Sequence, residues 1–240
     1  MDRNLIFDIG MHKAKDTFFY LKKGFKVVAV EANADFVNAA QAYFTAETAS
    51  GALHIVHAAL TDSEEDVEFY LNRTKDDWSS IYKDWAQKGG HEVEVTRVRS
   101  TNLLKIVQEY GVPYYIKCDI EGADGIFVDQ LLHLPEKPQY VSVEAVHIEY
   151  LAKMYCAGYS KFMVVNQALS WNVQCPNPPR EGNYFEMKFD GHMSGLFGQE
   201  LPQDRWIGFE EACSLYLQFK TLIAKYPDIF FGWLDFHAAR

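Results

Sequence analysis

Between Leu5 and Glu31 the chain spells out one compact unit. An apolar run, Leu5–Ile9, turns at Asp8-Ile9-Gly10, and a helical stretch, Phe18–Lys23, stops at Gly24. A second apolar run, Val27–Val30, then ends on the acid Glu31. Strand, glycine turn, helix, strand, acid is the order of a nucleotide-binding βαβ unit. Gly10 removes a side chain where a ligand must approach the backbone, the new helix offers unpaired N–H groups, and the carboxylate can accept two hydroxyls. Glu31 follows Gly10 by 21 residues, close to the spacing at which an acid meets a ribose. An ordinary βαβ turn with a surface glutamate is the bland alternative.

Only one glycine of the G-x-G-x-x-G dinucleotide fingerprint is present, which argues against a cradled pyrophosphate. A D-x-G turn with an acidic second strand suits S-adenosylmethionine, which carries no phosphate. A nicotinamide-dependent oxidoreductase shares the acid but needs the missing glycines. A catalytically silent Rossmann-like scaffold is a third reading, and the further acids described below speak against it.

Downstream, strands and helices alternate. Asn33 caps a helix through Phe36, Val37, Ala40 and Phe44 that Gly51 closes. Leu53–Leu60 reads as a third strand ending at Thr61-Asp62, Val67–Leu71 as an additional one, and Glu92–Val98 as a strand with one solvated face. Residues 72–90 are polar and aromatic and read as a mobile loop. Ser100 or Thr101 caps a helix to Tyr110. Tyr114–Asp119 is a fourth core strand running into Glu121-Gly122-Ala123, and Tyr140–Glu144 is a fifth. A helix about Ile148–Met154 and a strand Phe162–Val165 follow. The pattern predicts a mostly parallel sheet with helices on both faces, in one domain. Residues 1–166 form its cofactor-binding core. Residues 167–227 read as a long insertion near the C-terminus, a substrate cover with one helix at about Phe209–Tyr226, and residues 228–240 hold a last buried strand.

Composition narrows the partners. A net charge of −10 disfavours a sequence-independent grip on nucleic acid or an anionic membrane. No apolar run is long enough for a membrane span, and Met1–Asn4 leads straight into a strand, so a cytoplasmic protein is expected. The four cysteines form no C-x-x-C pair, and reduced thiols without zinc are the expectation.

Taken together, Asp8-Ile9-Gly10-Met11, Val30-Glu31-Ala32-Asn33, Ala59-Leu60-Thr61-Asp62, Lys117-Cys118-Asp119-Ile120-Glu121-Gly122-Ala123-Asp124 and Val143-Glu144 resemble the FkbM-type family of S-adenosylmethionine-dependent methyltransferases. The resemblance covers residues 4–166. It implies a class I methyltransferase fold, a Rossmann-like α/β architecture whose seven-stranded sheet has its last strand antiparallel. It also implies methyl transfer to oxygen, on a hydroxyl of a sugar-containing or other small-molecule acceptor. The chain departs from the family pattern at Ala14, where a glycine is usual, and at Lys13 and Lys15 beside it.

In such sheets ligands lie beyond the carboxyl ends of the strands. Asp8, Gly10, Met11, Thr17, Glu31, Ala32, Asp62 and Asp119 are the cofactor-binding candidates. Among them Glu31 takes the ribose, Asp62 the adenine amino group, and Asp8 a structural or water-mediated place near the methionine ammonium. Asp119 and Glu121 are the candidates for chemistry, because methylating a hydroxyl near neutral pH needs a base or a metal. Glu121 as a helix cap is the alternative. Glu144 and His147 stand next in line. With Asp119 these two could hold a divalent ion, but no metal-binding spacing supports it. Trp78, Trp85 and Trp171 are candidate walls of an acceptor pocket. The sequence leaves the oligomeric state open.

Overall fold

The computed structural model describes residues 1–240. Along the chain run β1 (Asp2–Ile9), α1 (Lys15–Lys22), β2 (Lys26–Glu31), α2 (Ala34–Tyr43), α3 (Thr45–Ala49), β3 (Leu53–His57) and β4 (Ala59–Leu60). Then come β5 (Val67–Asn72), α4 (Lys83–Ala86), β6 (Val93–Val98), β7 (Ser100–Thr101), α5 (Leu103–Tyr110) and β8 (Pro113–Cys118). The chain closes with α6 (Asp124–His133), β9 (Tyr140–Glu144), α7 (Glu149–Cys156), β10 (Lys161–Asn166), α8 (Phe209–Lys225) and β11 (Leu234–Ala239). The main sheet has seven strands in the order β10-β11-β9-β8-β1-β2-β3. All neighbours are parallel except β11, which runs antiparallel to both β9 and β10. This is the class I methyltransferase arrangement.

Alternation along the strands splits the core in two. Leu5, Phe7 and Ile9 of β1 face α5, α6, α7 and α8 through Leu103, Phe127, Leu151 and Ala212. Ile6 and the neighbouring Val27, Ala29 and Tyr115 face the other way, onto Phe19 and Tyr20 of α1 and Ala40 of α2. With both faces covered, the central strands read as continuous apolar runs.

The structure departs from the sequence reading in three places. The run Leu53–Leu60 breaks at Ala58. Its last two residues leave the main sheet and pair with β7, because Ala59 and Thr61 bond to the 99–101 segment. The second helix stops at Tyr43, and α3 is the piece that ends before Gly51. Asn102, and not Ser100 or Thr101, caps α5 by accepting a hydrogen bond from the Lys105 N–H. The stretch after Asn166 does more than cover. Phe189, Met193 and Phe197 complete the second core cluster, with Phe197 stacked on Tyr115, and α8 packs as a regular layer helix whose Tyr216 hydroxyl donates to the Val146 carbonyl.

Candidate active site

At the carboxyl ends of β1, β2, β8 and β9 opens a cleft of about 360 Å3. Its floor follows from one close approach. The Asp119 N–H bonds to the Ile9 carbonyl at 3.0 Å, and a Cβ on Gly10 would stand 1.8 Å from the Asp119 carbonyl oxygen. Gly10 has φ +81°, so only glycine fits here on both counts. Its N–H and that of Met11 both bond to the Val30 carbonyl, which ties the turn to β2.

Glu31 lines one end of this cleft. Its two carboxylate oxygens accept from the His12 and Asn33 N–H groups, each at 2.7 Å. Burial raises its pKa against the pull of those two bonds. Each oxygen still has capacity for one more donor. Val30, Ala32, Phe36 and Phe69 give this end an apolar wall.

The other end gathers carboxyls. Asp119, Glu121, Glu144 and Asp235 line it, and Asp16 reaches it from the first turn of α1. Glu121 accepts from Trp85 Nε1 at 2.9 Å, and its own carbonyl accepts from the Ser80 hydroxyl. Burial, then the charges of Asp119 and Glu144, push Glu121 well above the usual carboxylate range. Burial and Asp119 push Glu144 up to about 9. Burial lifts Asp16 to about 7 despite Lys117, and its two oxygens accept from the Ser194 N–H. Asp124, behind them, caps the turn instead. It accepts from the Ile120 and Gly122 N–H groups, and burial raises it to about 7.

Several sequence candidates sit elsewhere. Asp8 is fully buried beneath the floor, where Thr17 Oγ1 donates to it at 2.6 Å and Lys117 Nζ lies 3.3 Å away. Neither Asp8 nor Thr17 lines the cleft. Lys117 also donates to the Gly10 carbonyl. Burial opposes its charge, yet Asp8, Asp119 and Asp16 hold its pKa above the usual lysine value. The pair therefore braces the turn. Asp62 is exposed and outside the cleft, a consequence of β4 leaving the sheet. His147 is exposed, with its ring against Tyr150. Trp171 is 69% exposed. Gly10, Met11, Glu31, Ala32, Asp119, Glu121 and Glu144 do come together around the cleft. No group of three His, Cys, Asp or Glu side chains is placed to hold a metal ion.

Sequence reasoning missed Asp16, Gln167 and Asp235. An acid inside the apolar run Trp233-Leu234-Asp235-Phe236 was the available signal. It also misread residues 72–90. This segment contains α4 and two short 3-10 turns, and it sets Trp78, Trp85 and Lys88 over the cleft. Asp76 from this segment pairs with Lys13 at 2.7 Å and with His12. Asp190 from the stretch after Asn166 pairs with Lys15.

A family model described as Methyltransferase FkbM domain matches residues 8–150, more than half of the chain. No curated protein matches. Among solved structures, the chain resembles precorrin-6Y C5,15-methyltransferase from Geobacter metallireducens GS-15 at 11% identity and a TM-score of 0.43, over 100% of this chain and 81% of that one. It is also similar to a SAM dependent methyltransferase from Archaeoglobus fulgidus, with 11% identity, a TM-score of 0.42, and 100% and 87% of the two chains covered. No helix is long and apolar enough to cross a membrane. With the family match spanning the floor, Glu31, Asp119 and Glu144, and with the sheet order that such enzymes share, the chain belongs to the FkbM family of S-adenosylmethionine-dependent methyltransferases.

Proposed function

We propose that this protein methylates a hydroxyl oxygen of a small, unphosphorylated acceptor, such as a sugar-containing metabolite. The observation that carries the reading is the convergence of Asp119, Glu121 and Glu144 in the half of the cleft away from Glu31. The donor fits the residues present. Glu31 offers its remaining lone pairs to the ribose hydroxyls, the apolar wall beside Phe36 suits the base, and Asp16 suits the ammonium group. When bound, the donor supplies a methyl group already activated as an electrophile.

The chain's own part is alignment and proton handling. A hydroxyl is a weak nucleophile near neutral pH, and a positioned carboxylate that takes its proton gains about 10²–10⁴-fold. Asp119 is the proposed base. It stands at the end of the central β8, one residue beyond Cys118 and beside the buried Lys117. Burial and the charges of Asp119 and Glu144 favour the protonated form of Glu121, which can donate to an acceptor oxygen beside Asp119. The acceptor oxygen gains the methyl, Asp119 the proton, and S-adenosylhomocysteine leaves. A phosphorylated acceptor would find no free cation at this end, since Lys117 is committed to Asp8 and the Gly10 carbonyl and Lys88 lies over the Trp85 ring.

The test is incubation with methyl-labelled S-adenosylmethionine and paired hydroxyl metabolites, phosphorylated and not, with and without a chelator. Label should appear on oxygen of the unphosphorylated members, with the chelator inert. Label on nitrogen or carbon, or none on any hydroxyl while the donor binds, would sink the assignment.

A further inference from the structure

Resting on the methyl-transfer reading, we infer that the acceptor carries an ammonium group beside its hydroxyl, seated between Glu144 and Asp235 with Gln167 Oε1 as a third contact. Strand register builds this seat. Cys118 pairs with Val143, so Asp119 and Glu144 follow side by side, and Glu144 is the direct partner of Asp235 across β9 and β11. Three carboxyls thus stand in a row on one face of three adjacent strands, about 5 Å apart from strand to strand. Gln167, only 3% exposed, lines the same end of the cleft. Its Nε2 donates to Asp235 at 2.6 Å and to the Ser194 carbonyl, which turns Oε1 away from both, and that oxygen has no partner.

Apart from the protons its own carboxyls hold while it is empty, the seat presents only acceptors. None of the ion pairs of the chain engages Glu144 or Asp235. Lys117 is committed to Asp8 and the Gly10 carbonyl, and the Lys88 ammonium lies over the Trp85 ring. A neutral polyol would form no ion pair with the two carboxyls. An ammonium brings three donors, no acceptor and a positive charge. Trp233, an aromatic residue of the kind that can hold a cation, lines the same cleft. Burial, then the charge of Asp119, raises both Glu144 and Asp235, so filling the seat with a cation should release protons.

The full chain, saturated with S-adenosylhomocysteine, is titrated calorimetrically at pH 7 with glucosamine, glucose and N-acetylglucosamine, each in phosphate and in MOPS buffer. Glucosamine should bind at least about tenfold tighter than either neutral sugar, one ionic contact's worth. Its heat should differ between the two buffers by an amount that reports proton release. Asp235→Asn, and independently Glu144→Gln, should cut both the preference and the proton release while S-adenosylhomocysteine still binds, which also certifies the fold. Equal binding of the three sugars, no binding by any, or a preference that survives both substitutions would overturn the inference. Loss of S-adenosylhomocysteine binding by the parent chain would instead strike the methyl-transfer reading itself.

Discussion

Three residues other than glycine hold a left-handed backbone, His12, Ala14 and Glu121, and all three stand where β1 and β8 leave the sheet. Such conformations cost about 1–2 kcal/mol each and concentrate where a turn is held for function. At Ala14, with φ +58°, the usual family glycine becomes intelligible. Ala14→Gly relieves that strain but loosens the unfolded chain by about 0.5–1 kcal/mol. Its urea midpoint should therefore stay level or rise slightly, and a clear fall would deny the strain. Glu31 belongs to the same scale. Losing its charge-assisted bonds to the ribose should weaken donor binding in Glu31→Ala by about 1.5–3 kcal/mol. The places of Gly10 and Glu31 in the cleft were legible because they follow from chain order alone. The sequence could not tell that Asp8 points under the floor and Asp119 over it, since that depends on which side of each strand the cleft opens.

At the scale of elements, the polar segment 72–90 owes its shape to local hydrogen bonds that composition hides. The Asn72 side chain accepts from the Thr74 and Lys75 N–H groups and donates to the Ala86 carbonyl, and Ser80 bridges to β5 and to Glu121. Polar residues that satisfy the backbone read like a loop and fold like an element. The two unusual lysines also find a role here. Lys13 holds Asp76 of this segment and Lys15 holds Asp190, so both cleft covers are clipped to the turn after β1. These pairs are largely exposed, so each contributes little to global stability, on the order of 0.2–1 kcal/mol. Their effect should be local. In Lys13→Glu, hydrogen exchange over residues 76–90 should accelerate while the sheet keeps its protection, and unchanged exchange there would deny the clip.

For the whole molecule, the mostly parallel sheet with helices on both faces was legible because strand and helix periods alternate so regularly up to Asn166. Beyond it the helix α8 and the last buried strand were also legible, but the stretch between Asn166 and α8 was not, because its apolar residues are irregularly spaced and find partners only across the finished sheet. Phe197 against Tyr115 and the buried pair Lys23–Glu200 are such contacts. The buried acids give the molecule a pH signature. Carboxyls with raised folded-state values, Glu144 at about 9 and Asp16 and Asp124 at about 7, bind more protons folded than unfolded. Their stabilisation is full below the unfolded carboxyl value and is lost as pH rises through the folded ones. His237 has the opposite sign. Burial lowers it to about 3, so its contribution is present above 6.5 and is lost as pH falls. The melting temperature of the unliganded protein should therefore decline between pH 6.5 and 9, and Glu144→Gln should flatten that decline. A melting temperature that rises over this range would be inconsistent with protonated acids in the cleft.

The central claim is that one cleft is divided between a donor end at Glu31 and an acceptor end at Asp119. Calorimetric titration of S-adenosylhomocysteine into the parent chain, Glu31→Ala and Asp119→Asn tests that division without any knowledge of the acceptor. The account predicts one site per chain, about 10–100-fold weaker binding in Glu31→Ala, and affinity within a few-fold of the parent in Asp119→Asn. No binding by the parent chain, or an Asp119→Asn loss as large as that of Glu31→Ala, would contradict it.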